Sequence, residues 1–237
     1  MTEELFREDA TLRECSATVL ALTEGGVILD RSVFYPQGGG QAGDAGWLQL
    51  ADGRRAAIAD ARKSKAHPGA VLHLLDDADA SLLPPGTRVT AQIDWPRRHA
   101  HMRFHTSTHL LCALVPHPVD GCSITAAYAR LDFHMSEPLD KEALSAGIAR
   151  LVAEAHAVRQ RWISEAELDA NPSLVRRMSV QPPRGLGRIR VLEIEGVDLQ
   201  PCGGTHVANT AEIGAVVVTK IEKKSAMTRR VVLGFAQ

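Results

Sequence analysis

The chain lacks an excess of charge, a long apolar run and a regular cysteine pattern, and each absence removes a class of protein. Its 27 Lys and Arg stand against 28 Asp and Glu, for a formal net charge of −1 with neutral histidines. A polyanionic partner must therefore be met by a local basic patch, not by a global field. No apolar stretch approaches the ~20 residues of a membrane span. The start, Met1-Thr2-Glu3-Glu4, is acidic and has no signal-peptide core. The cysteines, Cys15, Cys112, Cys122 and Cys202, show no regular spacing. That argues against a secreted disulfide scaffold and for a reducing, cytoplasmic setting. There is no internal repeat and no low-complexity tract. What the chain has is a hydrophobic fraction of 45% over 237 residues, enough for one large domain or two ordinary ones.

The pattern along the chain changes near residue 95. Leu12 to Leu22 and Val27 to Phe34 flank Gly25-Gly26, a hairpin signal. Trp47 to Leu50 and Arg54 to Ala61 flank Asp52-Gly53, a second one. Val71 to Leu75 and Arg88 to Ile93 complete six short strands with no helical period, which suggests a small β-barrel over residues 1–95. Asp94 can then cap a helix with Pro96 in its first turn, stopped by Pro116 and Pro118. Leu131 to His134 reads as a strand. Residues 139–163 read as a long amphipathic helix with Leu144, Ile148, Leu151 and Ala155 on one stripe. Ser164 and Glu167 have capping-box spacing. Ile189 to Ile194, Ala215 to Ile221 and Arg229 to Phe235 look like strands. Residues 96–237 are thus expected to form an α+β domain.

Two pairs of side chains carry the chemistry. His105 and His109, in Arg-Phe-His-Thr-Ser-Thr-His, are one helical turn apart and project from one face of a helix. Cys202 and His206, in Pro-Cys-Gly-Gly-Thr-His, lie in a glycine-containing segment that can bend two side chains inward. A helical pair and a distant loop pair can assemble a tetrahedral zinc site. Either pair alone arises easily by chance; two with the same spacing are harder to dismiss. His101, Cys112 and Cys122 compete, but for each a buried or hydrogen-bonded structural role fits better. The helix is not that of a zinc protease, because Thr106 stands where the general-base Glu would follow the first histidine. Four protein ligands also suit a structural metal better than a catalytic one. Either the coordination expands, or one ligand is loose, or the metal only orients a substrate.

The run Phe34-Tyr35-Pro36-Gln37-Gly38-Gly39-Gly40-Gln41 places three glycines where a strand would be weakened. It is either a flexible loop or backbone that approaches a ligand with free N–H groups. No Lys-Ser/Thr follows, so it is not a Walker phosphate loop. Basic residues cluster at Arg97, Arg98 and Arg103, at Arg176-Arg177, and at Lys220, Lys223, Lys224, Arg229 and Arg230. They are a solvated face or a set of phosphate contacts.

The His105–His109 run, the Pro201–Val207 run and the Phe34–Gln41 run together resemble the editing domain of alanyl-tRNA synthetase, and still more its freestanding relatives, the AlaX proteins of medium length. The resemblance extends from about Leu12 to Phe235, and nothing in the chain resembles an aminoacylation domain. It implies a small N-terminal barrel carrying the glycine motif, followed by an editing domain of the threonyl/alanyl-tRNA synthetase second-additional-domain type. It implies one Zn2+ per chain on His105, His109, Cys202 and His206, and a metal-dependent deacylase that clears serine and glycine from tRNA(Ala). Gly38, Gly39, Gly40 and Gln41 are implied substrate contacts.

The expected partner is the tRNA(Ala) acceptor stem with its mischarged 3′ end; neither ATP nor a membrane is expected. Phosphates and the wide minor groove of the A-form stem are what these basic residues would touch. Thr106, Ser123 and Thr125 are candidates to read a serine hydroxyl. No carboxylate adjoins the motifs as an obvious base. Asp198 is the nearest candidate, and capping the loop is its other reading. The competing expectation is an RNA-binding module with a structural zinc and no esterase activity.

Overall fold

The computed structural model describes residues 1–23, 25–175 and 187–236, so the basic pair at 176–177 lies outside the described residues. The chain divides into two units, one of Met1–Gly38 with Ala42–His99, the other of Gly39–Gln41 with Ala100–Gln237.

The first unit is a sheet of short strands. Its elements are β1 (Glu3–Glu4), β2 (Glu14–Thr23), β3 (Gly26–Leu29), β4 (Arg31–Ser32), β5 (Gly46–Leu50), β6 (Arg55–Ile58), β7 (Asp60–Lys63), β8 (Val71–Leu74), α1 (Asp77–Ala80) and β9 (Arg88–Ile93). Seven of them pair in the order β6-β5-β9-β2-β3-β8-β7. Alternation drives this: Ala56 and Ile58 of β6, and Val89, Ala91 and Ile93 of β9, turn inward while their neighbours face outward. The inward side chains form one core with Val19, Leu29, Phe34, Leu48 and Val71. The ladder is open. β6 and β7, at its two ends, are not paired with each other; they are consecutive in the chain, with Ala59 between them. The expected strand Arg54 to Ala61 is broken there because Ala59 N–H turns to the Leu74 carbonyl of β8 at 2.9 Å, a different partner from the β5 that β6 pairs with. A closed barrel is therefore not formed by the hydrogen-bonded ladder.

The second unit is α+β. It holds most of α2 (Trp95–Leu114), then β10 (Val119–Ile124), β11 (Ala129–His134), α3 (Lys141–Ala153), β12 (Val158–Ser164), α4 (Glu165–Ala170), β13 (Arg188–Ile194), β14 (Asp198–Pro201), β15 (Val216–Ser225) and β16 (Thr228–Phe235). They form two sheets, β10-β11-β16-β15 and β12-β13-β14. α2 starts as expected, with the Asp94 carboxylate accepting from Arg97 N–H at 3.1 Å, and stops before the prolines. The 139–163 helix does not form over its whole length. Ala155 takes φ 56°, a left-handed conformation that ends a helix, and the remainder is β12. Leu144, Ile148 and Leu151 are buried as the stripe requires, but Ala155 is exposed outside it. The capping box at Ser164 and Glu167 opens α4. No described helix is long and apolar enough to cross a membrane.

Candidate metal centre

α2 presents His105 and His109 inward, 4% and 7% exposed. Cys202 and His206 come from the turn after β14. One ligand atom from each of the four lies within 4.8 Å of every other. Cys202 Sγ is 3.5 Å from His105 Nε2 and 3.2 Å from His206 Nε2. A tetrahedron with bonds of about 2.0–2.3 Å has edges of roughly 3.5 Å, so the spacing suits one ion. His101, Cys112 and Cys122 are not part of the group.

The donor set is also chemically prepared. His105 Nδ1 lies 2.8 Å from Gln41 Oε1. His109 Nδ1 lies 2.8 Å from Asp198 Oδ2, and a carboxylate only accepts. His206 Nδ1 lies 3.3 Å from Thr106 Oγ1, whose own proton goes to the Met102 carbonyl. Each Nδ1 therefore carries the hydrogen, and each Nε2 faces the common centre, where it offers a lone pair to a metal once it carries no proton. The residues present fit a soft divalent ion such as zinc.

Electrostatics agree. Burial opposes charge on His109, but the hydrogen bond to Asp198 and the nearby Cys202 outweigh it and raise its pKa to about 9. Burial would raise the Cys202 thiol, yet His105 and His206 hold it well below its ordinary range. Burial and the neighbouring His105 push His206 down to about 3. The site without metal thus already holds thiolate character and a neutral His206.

Gly204 is required by space. A Cβ there would sit 2.1 Å from His105 Cε1 and 2.9 Å from Gln41 Oε1. Gln41 belongs to the second unit and is fully buried. Its Oε1 also accepts from Thr205 N–H at 3.1 Å, and its Nε2 donates to Thr205 Oγ1 at 2.9 Å. It ties His105 of the helix to the loop that carries Cys202 and His206. Arg190 of β13 does the same for the loop backbone, donating to the carbonyls of Cys202 and Gly204 at 2.8 and 3.0 Å and to Gln160 Oε1 at 2.6 Å.

The other sequence candidates fall in varied places. Asp198 orients His109 and is also held by Gln200 at 2.8 Å. Thr106 is spent on Met102 and His206. Thr125 closes a turn, with its hydroxyl on the Tyr128 carbonyl at 3.0 Å. Ser123 is half-buried on β10, and its hydroxyl takes no partner among the described residues. Gly39 and Gly40 are exposed, at φ 58° and 90°, while the Gly38 carbonyl accepts from Tyr35 Oη at 2.9 Å.

Among the basic residues, Arg98 is fully buried against Asp44 and donates to the Ala10 and Val33 carbonyls. That takes it off any surface a phosphate could reach. Arg229 is 8% exposed and is spent on the Ser225, Ala226 and Ser136 carbonyls. Arg230 grips Asp132 with two bonds, at 2.7 and 2.8 Å. Arg97 donates to the Gly43 carbonyl, and Arg103 to that of Ile213 while lying over the Phe235 ring. Lys220 pairs with Glu222 at 2.6 Å. Lys223 and Lys224 are exposed. No local pattern marks Arg190, whose task depends on which carbonyls the fold brings to it.

Residues 189–232 match the family model described as threonyl and alanyl tRNA synthetase second additional domain. Residues 6–97 match the model of class II (A) tRNA synthetases, although no motif in that half resembles an aminoacylation domain. The chain is 33% identical to an alanyl-tRNA editing protein AlaX-M of Methanosarcina mazei, covering 97% of this chain and 95% of the relative. It is 32% identical to that of Saccharolobus solfataricus, over 98% of both. It is 34% identical to an alanine–tRNA ligase of Metallosphaera sedula, with 94% of this chain matching 25% of the ligase.

Proposed function

The chain belongs to the AlaX family of alanyl-tRNA editing proteins, and on that premise we propose that it is a trans-acting deacylase that hydrolyses seryl and glycyl esters on tRNA(Ala) and spares the alanyl ester. The reading rests above all on the convergence of His105, His109, Cys202 and His206 with every imidazole Nδ1 already taken. Zn2+ would be held by the three Nε2 atoms and Cys202 Sγ, and bound there it would polarise the ester carbonyl or hold the substrate's α-amino group. In the reaction, water adds to the ester carbonyl carbon, the bond to the ribose oxygen breaks, and that oxygen leaves as a hydroxyl. Asp198 keeps His109 in its tautomer; it is a positioning residue, and no carboxylate of the motifs acts as base.

Selectivity is assigned to Ser123. Its unpaired hydroxyl can meet that of a seryl ester, and an alanyl ester would leave it unsatisfied at about 1–3 kcal/mol. Residues 1–95, with Gly38, would help hold the RNA, and residues 96–237 would carry the chemistry and the phosphate contacts. Gly40 would offer its N–H to the ester end. Lys220, Lys223 and Lys224, exposed on one strand, are the phosphate contacts. A deacylase of tRNA(Ala) would work in the cytoplasm.

Four protein ligands fill a tetrahedron, which favours one other reading, an RNA-binding module with a structural zinc. One assay separates them. Ser-, Gly-, Ala- and Thr-charged tRNAs are incubated with the protein, with and without a chelator. Loss of serine and glycine alone, abolished by the chelator, is expected; four intact esters would leave the binding module.

A further inference from the structure

Trp162 on β12 is 47% exposed, and its surroundings are unlike those of a stray surface indole. The Arg188 guanidinium lies 4.5 Å from its ring centroid, is itself exposed, and pairs with no carboxylate among the described residues. In the ladder, Trp162 stands directly opposite Arg190, and Cys202 N–H donates to the Arg190 carbonyl at 3.2 Å on the far side. The three residues form one row across the sheet. Paired residues share a face, and Arg190 on that face reaches the carbonyls of Cys202 and Gly204. The indole is thus on the metal-loop side, two strand spacings or roughly 10 Å from Cys202.

An indole with a cation over one side, open to solvent, is what a nucleobase stacks on. We propose that Trp162, backed by Arg188, is the stacking platform for an unpaired base of the RNA 3′ overhang, so that the ester beside it reaches the metal centre. The proposal rests on the editing reading above and adds the residue that holds the single strand. Stacking needs no base-specific contact, so the platform is indifferent to which base arrives.

The test uses two RNA hairpins of one acceptor-stem sequence, one with its single-stranded CCA overhang and one trimmed to a blunt end. Dissociation constants are measured for the metal-loaded wild-type protein, Trp162→Ala and Trp162→Phe. Trp162→Ala should weaken binding of the overhang hairpin about tenfold, leave the blunt hairpin within twofold or so, and retain its metal. Trp162→Phe, which keeps a ring, should recover most of the loss. Equal affinity of wild type and Trp162→Ala for the overhang, or an equal loss for both hairpins, overturns the platform. So does a Trp162→Phe variant that keeps its metal but binds no better than Trp162→Ala, which also decides the matter if the alanine variant loses its fold. A wild-type protein that deacylates mischarged tRNA while Trp162→Ala binds normally leaves the editing reading standing and removes only this proposal. If wild type neither binds the overhang nor deacylates, both fall.

Discussion

Which nitrogen of an imidazole faces a metal is settled by what the other nitrogen meets. Three residues far apart in sequence settle it here: Gln41, Thr106 and Asp198. Gln41→Ala and Asp198→Ala should each lower zinc affinity by about 10–100-fold, read by chelator competition, with helix content unchanged by circular dichroism; affinity equal to wild type would remove the positioning role. Gly204→Ala should be harsher, because its methyl would collide with the His105 ring, and metal stoichiometry well below one is the expected result. The raised value of His109, about 9, means that the metal-free site is protonated there at pH 7. Zinc binding should then release at least about one proton, seen as a binding enthalpy that changes with the buffer's ionisation enthalpy, and affinity should fall as pH falls. Buffer-independent heat would contradict it. The cluster of His105, His109, Cys202 and His206 was legible in the sequence because residue type and i,i+4 spacing are local. The partners of their Nδ1 atoms were not, since Gln41 reads as part of a glycine loop until the fold turns it toward His105.

At the scale of elements, the sequence shows where regular structure begins better than where it stops. Asp94 and Ser164 each cap a helix through a side-chain oxygen, a signal confined to a few residues. The end of α3 has no such signal. Ala155 ends it in a left-handed turn that only the surrounding packing selects, so the apolar period appeared to run on into β12. Arg98 shows the same limit for a side chain. Beside Arg97 it reads as a surface cation, but α2 begins with it buried against Asp44, whose carboxylate also accepts from Tyr35 N–H at 2.7 Å. Arg98→Ala would strand that carboxylate and should cost about 3–5 kcal/mol, measured as a lower urea midpoint with an unchanged slope. A loss under about 1 kcal/mol would mean that the pair is solvated.

For the molecule as a whole, titrating side chains in both units set how stability follows pH. In the first unit His73 is fully buried, with Nε2 on Ser32 Oγ at 2.7 Å and Nδ1 on the Val27 carbonyl at 3.2 Å. Burial pushes it down to about 4 against the pull of that carbonyl. In the second, the metal-free His206 falls to about 3. Unfolded histidine takes up its proton near 6.5, so both contribute stability that is complete above 6.5 and is lost as pH falls toward 4 and 3. His109 has the opposite sign: its contribution is complete below 6.5 and is lost as pH climbs through about 9. Cys202, held low, has the sign of a depressed acid, and its contribution grows as pH rises toward the ordinary thiol range. The urea midpoint of the metal-free protein should therefore fall steadily from about pH 6.5 toward 4, before the bulk of the carboxylates titrate. His73→Gln should make the acid limb shallower by removing one of the two histidines. A midpoint that holds level down to pH 4 would mean that neither imidazole is kept neutral by the fold.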